Sequence, residues 1–149
     1  MSLSDKEYLQ INQALFSLTH SYESRMTKEA QQNPLGIMIS DRSVLRVLGQ
    51  FASLNSRQLS SIMDINPGTI SVYVQRLVKK GLVQKDQDQI DRRNWLLNLT
   101  ETGQAIYQET ITGAVSYTQD FLSSLSDSEQ RTLHQLLLKA SHSLGFDWQ

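Results

Sequence analysis

The residues with the most legible chemistry sit between Asn66 and Arg93. Thr69, Ser71 and Tyr73 carry hydroxyls near the start of a segment that opens Asn66-Pro67. A hydroxyl can bond a phosphate or a base edge, and the Thr69 methyl can meet a thymine methyl. Arg76 follows one turn later and points toward base or backbone, with Lys79, Lys80 and Lys85 as phosphate-contact candidates. A polar stretch then ends Asp91-Arg92-Arg93. Arginine is drawn into a narrow minor groove by its enhanced negative potential, so Arg93 is the first choice for insertion and Arg92 the second. Asp91, two residues before Arg93, is placed to hold its guanidinium by a charge-assisted bond. None of this makes or breaks a bond; it is the chemistry of recognising a polyanion through two grooves.

Other chemistries find little support. The chain has no cysteine, so disulfides, thiolate metal sites and thiol redox are out of reach. His20, His134 and His142 show no spacing with acids that suggests a metal, and His134 and His142 lie two helical turns apart. With no nucleophile–base set and no glycine-rich phosphate loop, no enzyme and no cofactor are expected. A net charge of −1 conceals an asymmetry: residues 40–100 hold nine Lys/Arg against five Asp, a net +4, and the remainder is −5. A basic block in an acidic frame suits a nucleic-acid partner. The start Met-Ser-Leu-Ser-Asp-Lys-Glu has no signal-peptide pattern and no apolar run reaches membrane-spanning length, so a cytoplasmic protein is expected. At 149 residues a single domain with helical extensions is expected.

Periodicity supplies the elements that position these residues. Residues 5–31 read as a long helix with Tyr8, Ile11, Leu15, Leu18 and Tyr22 on one face. Asn33-Pro34-Leu35-Gly36 stops it. Ser40 or Asp41 is placed to cap a core helix over about 41–53, and Asn55-Ser56 to cap a short one over about 57–64. Asn66 caps, and Pro67 opens, a helix over about 67–80 with Ile70, Val74, Leu77 and Val78 inward; Gly81 closes it. Strands at 82–85 and 94–99, the second with Trp95, Leu97 and Leu99 on one face, flank a polar loop and make a hairpin. Thr100 is placed to cap a helix over about 101–123, seamed by Gly103, Tyr107, Thr110, Ala114, Tyr117 and Phe121. A Ser126–Glu129 capping box starts the last helix, about 127–143, lined by Leu133, Leu136, Leu137, Ala140 and Leu144 before an apolar tail, Gly145 to Gln149. The expected fold is mainly α with a small β-hairpin wing: a winged helix-turn-helix over 40–100, with dimerisation helices at 5–35 and 101–145. The outer seams exceed what one small domain buries, and a symmetric dimer would cover them.

Leu59, Thr69-Ile70-Ser71, Arg76-Leu77, Lys79-Lys80-Gly81-Leu82-Val83, Asp91-Arg92-Arg93 and Leu99-Thr100-Glu101-Thr102-Gly103, in this order and spacing, resemble the MarR family of winged-helix transcription regulators across about residues 5–145. The resemblance implies a homodimer on a pseudo-palindromic DNA operator, usually a repressor. It also implies a cleft between dimerisation helices and winged region for a small aromatic or phenolic effector that weakens DNA binding; His20, Tyr22, Trp95 and Tyr117 are the candidate lining. Val72 and Gln84 depart from the pattern, since relatives often carry basic residues there. The alternatives are a winged-helix protein-interaction adaptor or a ligand-binding dimer with weak DNA contact. A salt titration of duplex binding separates the adaptor, which would show no steep dependence.

Overall fold

The structure is a computed structural model and describes residues 2–143. Leu144 and the tail from Gly145 lie outside the described residues. Two compact units divide the chain, Met1–Gly113 and Ala114–Gln149.

The first unit opens with α1 (Asp5–Gln31), started by a capping box in which Ser4 and Glu7 satisfy each other's end. Of its residues only Met26 and Ala30 are buried, while Tyr8, Ile11, Leu15 and Phe16 stand exposed. The second helix, α2, spans Ile39–Gln50 rather than about 41–53. Asp41 is therefore not its cap but sits one turn in, and its carboxylate reaches back to accept the N–H of Met38 at 3.0 Å. The helix ends early because the chain must turn: Ser53 takes φ 54° and Leu54 pairs with Leu97.

A two-residue strand, β1 (Leu54–Asn55), precedes α3 (Ser56–Met63), which Asn55 caps by accepting the Gln58 N–H at 2.8 Å. Asp64, in the left-handed region at φ 51°, turns the chain into α4 (Pro67–Lys79). Asn66 accepts the Thr69 N–H at 2.9 Å, and Pro67 begins the helix where its missing N–H costs nothing. Gly81 follows α4 at φ 69°, a conformation that favours glycine.

Strands β2 (Val83–Gln87) and β3 (Trp95–Leu99) form the hairpin, in register from Val83↔Leu99 to Gln87↔Trp95. The sheet has three strands, ordered β1-β3-β2, where the hydrophobic pattern suggested two. Two residues are too few to show alternation, which is why β1 is invisible in the sequence. Leu45, Leu59, Ile70, Leu77, Leu82 and Leu97 meet in one core and are each fully buried. Each such side chain contributes about 1.5–3 kcal/mol by leaving water, so the helix-turn-helix and the root of the wing are one packed body. Val78, expected inward, is 38% exposed.

The last helices are α5 (Glu101–Leu122) and α6 (Asp127–Ser143), and the boundary between units falls inside α5. Within the first unit, Gly103 lies so close to Leu82 that an added Cβ would meet the Leu82 carbonyl oxygen at 1.9 Å. Thr100 ties the same corner: its hydroxyl donates to the Gly81 carbonyl at 2.6 Å and accepts the Gly103 N–H at 3.0 Å. In the second unit, the Ser126–Glu129 capping box forms as expected, and Gln130 donates to the Leu122 carbonyl at the end of α5 and to the Leu125 carbonyl in the turn that follows. No described residue of α6 is buried; Leu136, Leu137 and Leu138 are each about half exposed.

Candidate nucleic-acid interface

Packing decides which side of α4 is free. Ile70, Val74 and Leu77 are buried, and Tyr73 packs half-buried against the core. The exposed strip is therefore Gly68, Ser71, Val72, Gln75 and Lys79, at helical steps of three and four. Thr69 is half-buried at its edge. Val72 is 57% exposed, and the Gln75 amide leans toward the Ser71 hydroxyl at 3.4 Å. Val72 and Gln75 stand on this strip although neither hydroxyl nor charge singles them out. The inward positions Ile70, Val74 and Leu77 would have pointed to them.

Arg76 does not point outward as expected. Its Nε donates to Asp41 Oδ1 at 2.7 Å and its Nη2 to Ser40 Oγ at 2.9 Å, and its guanidinium lies 5.2 Å from the centre of the Tyr73 ring. Lys80 is drawn to the same carboxylate, with Nζ 3.0 Å from Asp41 Oδ2, and also donates to the Gly36 carbonyl. Asp41 is fully buried. Burial pulls its pKa upward. The Met38 N–H, Arg76 and Lys80 more than offset this, so its carboxyl sits below the ordinary aspartate value. The physical reason for both reorientations is the same: a buried carboxylate needs compensating charge, and α4 supplies it. Lys79 stays on the exposed strip.

Arg92 and Arg93 are exposed at the wing tip, as the sequence suggested. Asp91 does not hold the Arg93 guanidinium. Its Oδ1 accepts the Arg93 backbone N–H at 3.1 Å and its Oδ2 the Asn94 amide at 3.3 Å, an Asx-type turn that shapes the tip backbone. Gln87 donates to the Arg92 carbonyl at 2.8 Å and closes the same loop.

Of the four expected effector-lining residues, His20, Tyr22 and Trp95 lie on different surfaces of the first unit. Trp95 lines a groove beside the wing, and His20 stacks on Phe16 at 6.1 Å on the α1 surface. Tyr117 belongs to the second unit. Tyr22 lines a cavity of about 270 Å³ with Met26, Ile39, Arg42, Arg46 and Thr110. Arg42 there is 3% exposed; its Nη1 donates to Thr110 at 3.0 Å, while its Nε and Nη2 have no hydrogen-bond partner and Glu109 stands 3.7 Å from Nη2. Among the described residues no three His, Asp or Glu cluster as metal ligands, and no helix is long and apolar enough to cross a membrane.

A helix-turn-helix whose second helix exposes one strip, continued into a hairpin with a basic tip, defines a winged-helix protein. The model of the MarR family matches residues 39–95, which is this region. The HTH-type transcriptional repressor MdtR of Bacillus subtilis is 24% identical over 142 residues, 95% of this chain and 86% of that one. Staphylococcus aureus MgrA, an HTH-type transcriptional regulator, is 28% identical over 102 residues, 66% of each. The fold matches Streptococcus pneumoniae FabT, crystallised in complex with DNA, at a TM-score of 0.82 with 20% identity, covering 93% of this chain and 97% of that one. Residues 39–95 therefore match the MarR family model, and the fold over most of the chain is that of a winged-helix protein. The relatives named are regulators rather than enzymes, in keeping with the expectation of no catalytic activity.

Proposed function

We propose that the chain acts as a homodimer that binds a pseudo-palindromic DNA operator, represses transcription in the cytoplasm, and releases the operator when a small aromatic effector binds. The observation that carries this reading is the placement of two free recognition features on one packed body: the exposed strip of α4 and the unpaired arginines of the wing tip.

In this reading residues 40–100 are the DNA-binding region, and the helices at 5–35 and 101–145 make the dimer. The exposed apolar side chains of α1 and α6 are what a partner subunit would cover. The strip of α4 enters the major groove, with Ser71 and Thr69 bonding base edges or phosphate and Val72 meeting a thymine methyl. Gln75 has the amide geometry for a bidentate pair with adenine. Gln75→Ala is expected to cost about 1–3 kcal/mol at the preferred operator and to relax selectivity at one position. The check is a competition assay across single-base operator variants.

Arg93 enters the minor groove with Arg92 beside it, and Lys79 meets phosphate. Tyr73, Arg76 and Lys80 support α4 from the side rather than read bases. Arg93→Ala is expected to weaken binding about tenfold on every sequence tested, since it reads groove shape and potential. An equilibrium titration in which that variant matches wild type would remove the wing from the interface.

The effector cavity is the one that Tyr22 and Arg42 line. A buried guanidinium with spare donors favours an aromatic ligand that carries an anionic group. The deciding experiment for the whole reading is selection of bound duplexes from a random pool, followed by footprinting and sedimentation. A palindrome with half-sites about one helical turn apart and a dimeric protein is the expected result. A chain that stays monomeric and enriches no sequence would end it.

A further inference from the structure

A groove beside the wing encloses about 570 Å³. Ser56 and Arg57 at the start of α3 form one wall, and Lys85, Arg93 and Trp95 of the wing the other. Arg57, Lys85 and Arg93 are all exposed, and among the described residues none of the three pairs with a carboxylate. Trp95 is 52% exposed between them.

This concentration of unneutralised charge follows from the register of the hairpin. Lys85 faces Leu97 and Gln87 faces Trp95, so these four share the face of the sheet that continues from the core. Gln84, Asp86, Leu96 and Asn98 occupy the other face, where Asp86 accepts from Asn98 at 2.8 Å and from Gln84 at 3.1 Å. Asp88 and Asp91 are engaged by N–H groups of the tip. Strand alternation and turn chemistry thus withdraw every wing acid from the groove, leaving three cations and an indole.

We propose that this groove seats the phosphodiester backbone that flanks the minor groove entered by Arg93. Arg57 and Lys85 neutralise successive phosphates from the two walls. Trp95 covers the sugar–phosphate between them and offers its indole N–H to a phosphate oxygen. The contact is sequence-independent and fixes how deeply the wing sits; it makes Trp95 a DNA contact instead of part of an effector pocket. The inference rests on the DNA-binding reading, adds Arg57 and Trp95 to it, and gives Lys85, a phosphate-contact candidate from the sequence, its place in the groove.

The test uses the full chain and a mixed-sequence duplex, because the phosphate contribution needs no operator. The plot of log K against log salt is expected to lose about 0.9 in slope in Arg57→Gln and again in Lys85→Gln, as each phosphate contact disappears. Arg131→Gln, on α6, serves as the control and should leave the slope unchanged. In a Trp148→Phe background the remaining indole is Trp95, and its emission is expected to change on duplex addition and to recover at high salt. If wild type binds with a steep salt dependence but both groove variants keep its full slope and Trp95 emission ignores the duplex, the groove proposal is overturned and the DNA reading survives. Saturable quenching by an uncharged aromatic compound, with no response to duplex, would assign the groove to a small ligand and also overturn it. A wild-type chain that binds no duplex at low salt would instead overturn the reading on which the groove depends.

Discussion

Gly103→Ala is expected to destabilise the protein by on the order of 4 kcal/mol, because the new methyl has nowhere to go. Its Cβ would lie 1.9 Å from the Leu82 carbonyl oxygen; the backbone fixes the Cβ and the oxygen is itself a backbone atom, so no side-chain rotation relieves the clash. The start of α5 would have to lift away from the chain that links α4 to the wing. That movement would break the hydrogen bond from the Thr100 N–H to the Leu82 carbonyl at 3.1 Å and the Thr100 hydroxyl's bond to Gly81. Losing the Thr100 cap adds about 1 kcal/mol to the overpacking cost. Urea unfolding followed by circular dichroism measures the effect. Gln104→Ala, an exposed neighbour on the same helix, should stay within about 0.5 kcal/mol of wild type. Equal midpoints for Gly103→Ala and wild type would mean that α5 does not approach Leu82 as closely as described.

Asp41→Asn is expected to be the next most costly change, at about 3 kcal/mol near neutral pH. It keeps the shape of the side chain and removes the charge that holds Arg76 and Lys80. The value lies at the low end for a broken buried pair because the two cations are 26% and 20% exposed and recover some hydration. Its pH dependence carries a sign. The folded-state pKa of Asp41 is lowered, so the stabilisation is fully present above the unfolded carboxylate value near ~3.9 and is lost as pH falls through the lower folded value. The stability difference between wild type and Asp41→Asn should therefore be flat from neutral pH down to about pH 4 and narrow below it. A gap that persists unchanged in strong acid would show that Asp41 acts through packing rather than charge.

These two residues also show what sequence reading could reach. The motif Leu99-Thr100-Glu101-Thr102-Gly103 was recognisable, yet its purpose was not: glycine is required there because two backbone segments distant in sequence come within touching distance. The local pattern offers Ser40 or Asp41 as a cap, since such residues near a helix start ordinarily are caps. The role of Asp41 as the counter-charge for two residues of α4 depends on how α2 packs against α4, which no local pattern encodes.

The sequence by itself determined the order and type of nearly all the elements. Apolar periodicity, the Asn66-Pro67 start, Gly81 and the Ser126–Glu129 capping box act within one or two turns, so their physics is local. It determined as well that the wing tip would be basic, because Arg92 and Arg93 fall in a polar loop between strands. Only the tertiary structure decided which α4 cations are free. Arg76 and Lys80 are consumed by Asp41, while Lys79 is left outward. It alone added β1 to the sheet and dispersed His20, Tyr22 and Trp95 among separate surfaces. The reason is common to all of these: residue type states what a side chain can bind, but burial and the nearest compensating charge, both set by distant parts of the chain, decide what it does bind.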